Sequence, residues 1–200
     1  MHISDGILSS DVVIATSLVS VACLLYSLKN LKNKNIALIS AMSAIFFISS
    51  FIHIPLGPTQ IHLVLIGIIG IIIGSSVFFA ILIALLLQAL LLGFGGISSI
   101  GANLFIMALP SYLIYLLVKS KILNFLSLKI KYFMIGFLPV LFSTTFLALV
   151  LAFSKEEYQY ASYTVFLANV PAMVIEGLVT IFLINYIKKA MPELLKGVEL

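Results

Sequence analysis

Apolar residues run in long blocks along this chain, and polar residues collect in the gaps between the blocks. The blocks lack a strict two-residue alternation, and most approach the roughly 20 residues a helix needs to cross a bilayer. Seven spans are predicted: Asp11–Leu28, Ile36–Phe51, Ile61–Ile73, Val77–Leu92, Ala102–Val118, Tyr132–Phe153 and Tyr163–Ile187. The third is short. Gly74, Ser75 and Ser76 after it read either as a tight cytoplasmic turn or as a kink in a continuous helix. A transmembrane barrel would show short alternating segments instead. The expected fold is an all-α polytopic membrane protein with seven transmembrane helices, forming one domain over residues 1–200.

Composition agrees and removes several alternatives. Hydrophobic residues make up 62% of the chain and charged residues 9%, against roughly 45–50% and 25% in soluble domains. The single cysteine, Cys23, supplies neither a disulfide framework nor a thiolate cluster. Every basic residue is a lysine, and none is grouped with aromatic platforms, so nucleic acid is not an expected partner. No nucleotide-binding motif, nucleophile–base pair or carboxylate pair stands at catalytic spacing, and an enzyme is not expected.

The lysines orient the spans. Lys29, Lys32 and Lys34 follow the first, Lys119, Lys121, Lys129 and Lys131 lie between the fifth and sixth, and Lys188, Lys189 and Lys196 follow the seventh. Seven crossings put all of these on one face, which the positive-inside rule makes cytoplasmic. The N-terminus is then outside, with HIPLGPTQIH, GFGGISSIGAN and SKEEYQY, and the C-terminus is cytoplasmic. A cleaved leader would need a positive n-region, whereas Met1 to Asp11 holds no Lys or Arg. Met1 is therefore expected to remain, ahead of His2.

A free amine followed by histidine is a chelate by geometry. The Met1 amine and the His2 amide nitrogen close a five-membered ring on a metal, and the amide and His2 Nδ1 close a six-membered one. Three coplanar nitrogens suit square-planar Ni(II) or Cu(II), and loss of the amide proton makes binding pH-dependent. The dipeptide alone favours the plainer reading, a histidine at a wet membrane face. His53 and His62 flank a loop stiffened by Pro55, Gly57 and Pro58 on the same predicted side. His62, opening an apolar span, is the better fourth ligand, and His53 reads as an interfacial residue. Asn103, in the glycine-rich GFGGISSIGAN, is placed to hydrogen-bond a ligand histidine. Glu176 is the one acid well inside a span, and intramembrane carboxylates default to a functional reading; a packing role beside Gly177 is the alternative.

The blocks MHISDGIL, IPLGPTQIHLVL, LLLQALLLGFGGISSIGANLFIMALP and VPAMVIEGLVTIFLINYIKKAMPELL resemble, in order, those of the cobalt/nickel energy-coupling-factor substrate-binding components, the CbiM/NikM family. The resemblance runs nearly end to end. It implies an N-terminus tucked into the helical core, with Met1, His2 and His62 as ligands of Co(II) or Ni(II), the transported substrate. No cofactor is implied. Asp5, Thr59, Asn103 and His53 take supporting places, and Ala37 and Ala41 resemble a small-residue coupling face. The implied partners are a transmembrane coupling (T) component, a pair of ABC-type ATPases and a small accessory membrane subunit. The implied location is a bacterial or archaeal cytoplasmic membrane. Phe94, Ile106 and Ile66 depart from the family pattern, where polar residues are common, and leave fewer hydrogen-bond donors around the ligands. Two other classes stay in view: an autonomous channel or ion-coupled metal carrier using Glu176, and a zinc-dependent intramembrane enzyme.

Overall fold

The computed structural model describes residues 3–31, 36–56, 59–195 and 197–198, with 53–56 and 59–61 described through their backbone alone. Helix α1 (Ser10–Lys29) starts after Ser9 in an extended conformation, carries Asp11 in its first turn and Lys29 in its last, and so complements its own dipole. Helix α2 is Ile36–Ser49. An antiparallel hairpin follows, β1 (His53–Leu56) and β2 (Thr59–His62), with His53 opposite His62. The remaining helices are α3 (Ile66–Ile73), α4 (Val77–Leu87), α5 (Ile100–Lys119), α6 (Leu128–Ser154), α7 (Gln159–Ala168) and α8 (Val170–Ala190). Among the described residues, five helical stretches are long and apolar enough to cross a membrane. The chain is a polytopic helical membrane protein.

Side-chain contacts fix the relative directions of the helices. The Ser20 hydroxyl donates to the Gly101 carbonyl at 2.7 Å and the Tyr26 ring lies 6.1 Å from that of Tyr112, so α1 and α5 run side by side in one sense. Helix α8 runs against α6: the Lys188 amine meets the Tyr132 hydroxyl near one end, while Glu176 lies alongside Gly136 further along. The Ser9 N–H donates to the Ser154 hydroxyl at 3.1 Å, joining the start of α1 to the end of α6. Lys29, Lys119, Lys131 and Lys188 therefore gather at one end of the bundle, the lysine end. The start of α1 and the end of α6 mark the other, amino end.

The third predicted span differs from expectation. Helix begins at Ile66, five residues later than Ile61, because β2 continues through His62 and Leu65 adopts a left-handed conformation with φ 55°. The Ser111 hydroxyl donates to the Ile66 carbonyl at 2.5 Å, so α3 starts opposite the middle of α5. It then descends beside α5 until Gly74 packs on the Tyr115 ring. Gly74 has φ 57° and ψ −131°, a conformation that ends the helix and favours glycine. Beyond it the Phe78 ring lies against Tyr112, and α4 rises toward the seven residues that lead into α5. Gly74–Ser76 forms a short 3-10 turn that separates α3 from α4. The seventh predicted span is likewise divided: α7 stops at Ala168 and α8 begins at Val170, with Pro171 in its first turn.

The core sits between α2, α3, α4 and α5 around Phe46, Ile66, Ile69, Phe78, Ile81 and Leu104. Close backbone approach sets its density. A Cβ at Gly67 would stand 2.0 Å from the Ile135 carbonyl oxygen, and one at Gly136 would stand 2.3 Å from that of Glu176. Helix α6 is thereby clasped between α3 and α8.

Candidate metal centre

At the amino end, Ile3 is 3% exposed and held on both sides of its own backbone. Its N–H donates to Asn103 Oδ1 at 2.8 Å; its carbonyl accepts from Asn103 Nδ2 at 3.0 Å and from the Ser99 hydroxyl at 2.8 Å. Asn103 and Ser99 are themselves buried in the first turn of α5 and just before it. The Ile3 N–H belongs to the peptide bond joining it to His2, so the clamp grips the residue that follows the dipeptide Met1–His2. Met1 and His2 lie outside the described residues.

Asp5 adds a second tie. Its Oδ1 accepts from the Ser98 hydroxyl at 2.6 Å and from the Ser99 N–H at 3.0 Å. The Ser98 hydroxyl, foremost, holds the Asp5 carboxyl below its ordinary 3.8. The strap rests so closely on the glycine-rich segment that a Cβ at Gly96 would overlap Asp5 Oδ1 at 1.9 Å, and Gly6 turns the chain at φ 79°. Among the described residues, the Asn103 amide meets the main chain of Ile3 and the Ser99 hydroxyl.

The histidine hairpin descends from the end of α2 at the same amino end. The Leu63 N–H donates to the Ile52 carbonyl at 3.2 Å and closes its base. His62 is half-buried, with Nδ1 3.3 Å from the Leu63 carbonyl oxygen. The tautomer protonated on Nδ1 donates there, the usual way a ligand imidazole is oriented. His53 and Thr59 belong to the hairpin through their backbone, and their side chains lie outside the described set.

Glu176 is 1% exposed. Its carboxylate accepts the N–H of Val64, and each of its oxygens lies 3.2 Å from the N–H of Leu65. Sequence reasoning marked the residue but could not see that its partner is the chain just beyond His62. Ala37 and Ala41 are exposed on the outer face of α2, while Ile66 and Ile106 are fully buried apolar packing.

Residues 2–194 match the family described as the cobalt uptake substrate-specific transmembrane region, CbiM. This chain belongs to the CbiM family. It is 34% identical to the cobalt transport protein CbiM of Thermosipho melanesiensis over 94% of this chain and 87% of that one. The fused nickel transport protein NikMN of Rhodobacter capsulatus is 33% identical over 54% of this chain and 33% of its own length. The crystal structure of a truncated transition metal transporter has the same fold, with a TM-score of 0.79 at 20% identity, covering 94% of this chain and 99% of that chain. This chain is a substrate-specific component of a metal uptake transporter.

Proposed function

We propose that this CbiM chain is the metal-capturing subunit of an ATP-driven energy-coupling-factor importer for Co(II) or Ni(II). The Met1 amine, the His2 amide and imidazole nitrogens, and His62 form the ligand set. The observation that carries this reading is the two-sided clamp of Asn103 on Ile3, which holds the residue after His2 inside the same end of the bundle that carries the His62 hairpin. A leader or a free tail has no need of such a clamp. The metal is substrate here. The terminal amine loses its proton at mildly alkaline pH, whereas the amide is deprotonated only as the metal binds.

In this reading the protein crosses a bacterial or archaeal cytoplasmic membrane seven times. The half-length α3 and the rising α4 count as two crossings, the lysine end faces the cytoplasm, and the amino end faces outward. A T component and an ABC-type ATPase pair supply energy, with a small accessory subunit as a further partner, and Ala37 and Ala41 lie on the face offered for coupling. An autonomous ion-coupled carrier would need Glu176 as its driving-ion site. Engagement of that carboxylate by the Val64 and Leu65 amides favours the subunit reading. Metal uptake into vesicles is expected only when the T component and ATPases are present with ATP. Uptake by this chain alone would return the carrier.

A further inference from the structure

We propose that Glu176 is a positioning residue for metal capture, anchoring the His62 hairpin to α8; the inference rests on the metal reading above. Helix α3 begins inside the bundle, where its first N–H groups have no water to meet. Leu65, the residue that precedes the helix, stands at φ 55°, so the chain enters α3 through a left-handed turn, and the N–H groups of Val64 and Leu65 point to Glu176. Val64 is 2% exposed, so an unmet donor there would cost on the order of 1–3 kcal/mol. The Glu176 carboxyl group meets both donors at the N-terminal end of α3.

The reach of Glu176 is itself built in. Its backbone carbonyl lies against Gly136, where a Cβ would intrude to 2.3 Å, and α3 lies against the same helix through Gly67. Two glycine contacts on α6 thus set the spacing that lets one carboxylate bridge α8 to α3. His62 stands two residues before Val64, with its Nδ1 beside the Leu63 carbonyl. The carboxylate holds the backbone of Val64 and Leu65, that backbone holds Leu63, and Leu63 orients the imidazole. Glu176 acts through this chain and does not touch the metal.

The test uses the full native chain in detergent and compares Glu176→Ala with Glu176→Gln. One oxygen of Glu176 accepts from both amides, so the glutamine carbonyl can keep both bonds. In metal-free protein, hydrogen exchange over residues 63–66 should rise in Glu176→Ala and stay near native in Glu176→Gln, with α1 and α5 unchanged in both. Nickel affinity should fall by about tenfold or more in the alanine variant and be largely rescued in the glutamine variant. Unchanged exchange over 63–66 in Glu176→Ala overturns the anchor. So does exchange raised equally through α1 and α5, which would mark a residue that merely supports folding. If native protein binds no nickel, the metal reading fails, and the exchange comparison still decides whether Glu176 holds the hairpin.

Discussion

Asn103 holds Ile3 by both of its main-chain groups, accepting from the N–H at 2.8 Å and donating to the carbonyl at 3.0 Å. A side-chain amide is well suited to this because it offers an acceptor and a donor side by side. Replacing it by Leu keeps the volume and leaves the buried Ile3 N–H unmet, at about 1–3 kcal/mol. Asn103→Leu should therefore lower nickel or cobalt affinity by roughly tenfold or more, read by titration of purified protein. Asn103→Asp should fare no better, since it sets a second oxygen against the Ile3 carbonyl.

An added residue ahead of Met1 converts the amine to an amide and removes one nitrogen from the ligand set. High-affinity binding should be lost while thermal unfolding in detergent stays near native, because no described contact of the clamp involves that amine. Native protein loaded with Ni(II) should be yellow and diamagnetic, as a planar nitrogen site requires. Equal affinity in the extended protein would refute the chelate.

His62→Ala should weaken binding severely and His53→Ala only slightly, measured in the same titration. The two are paired residues across the hairpin. Thermal unfolding of both variants, kept near native, separates loss of a ligand from loss of the ribbon. A reversed order would move the fourth ligand to His53.

Asp5 gives a pH argument with a definite sign. Its carboxyl is held below the ordinary 3.8, foremost by the Ser98 hydroxyl. The contribution of this tie is present above the unfolded value and is lost as pH falls through the lower folded value. Metal binding should instead weaken as pH falls because the amine, the amide and the imidazoles must all be free of the competing protons to bind. Asp5→Asn should lower affinity uniformly across pH 5–8, leaving the midpoint of the acid limb unmoved; a shifted midpoint would place Asp5 in the titration itself.

The long spans were legible because membrane helices announce themselves by apolar length, and the lysines sorted the ends. The third span was misjudged at its start for a physical reason. Ile61 to Leu65 is as apolar as the helix it adjoins, and hydropathy does not register that Glu176, more than a hundred residues away, takes up the backbone donors a helix would have used. Asn103 and Asp5 stood out as polar residues in or beside an apolar block. Their partner, the backbone of Ile3 for one and the Ser98–Ser99 segment for the other, left no trace in side-chain chemistry. Glu176 is conspicuous for its cost, and a functional site and a hydrogen-bonded packing role both stay open for it in the sequence, which names no partner for either.

Fixing Ile3 also sets a length scale. In the proposed ligand set the amine would lie two residues ahead of this anchor, and an extended chain spans at most about 3.6 Å per residue. Such a tether would keep the amine within roughly 8 Å of a point fixed at the first turn of α5. Metal entering from outside would then meet a ligand of small search volume, with little chain entropy left to lose on closing the chelate. A single residue inserted between His2 and Ile3 would lengthen the leash by nearly half and let the amine wander, although every ligand atom would still be present.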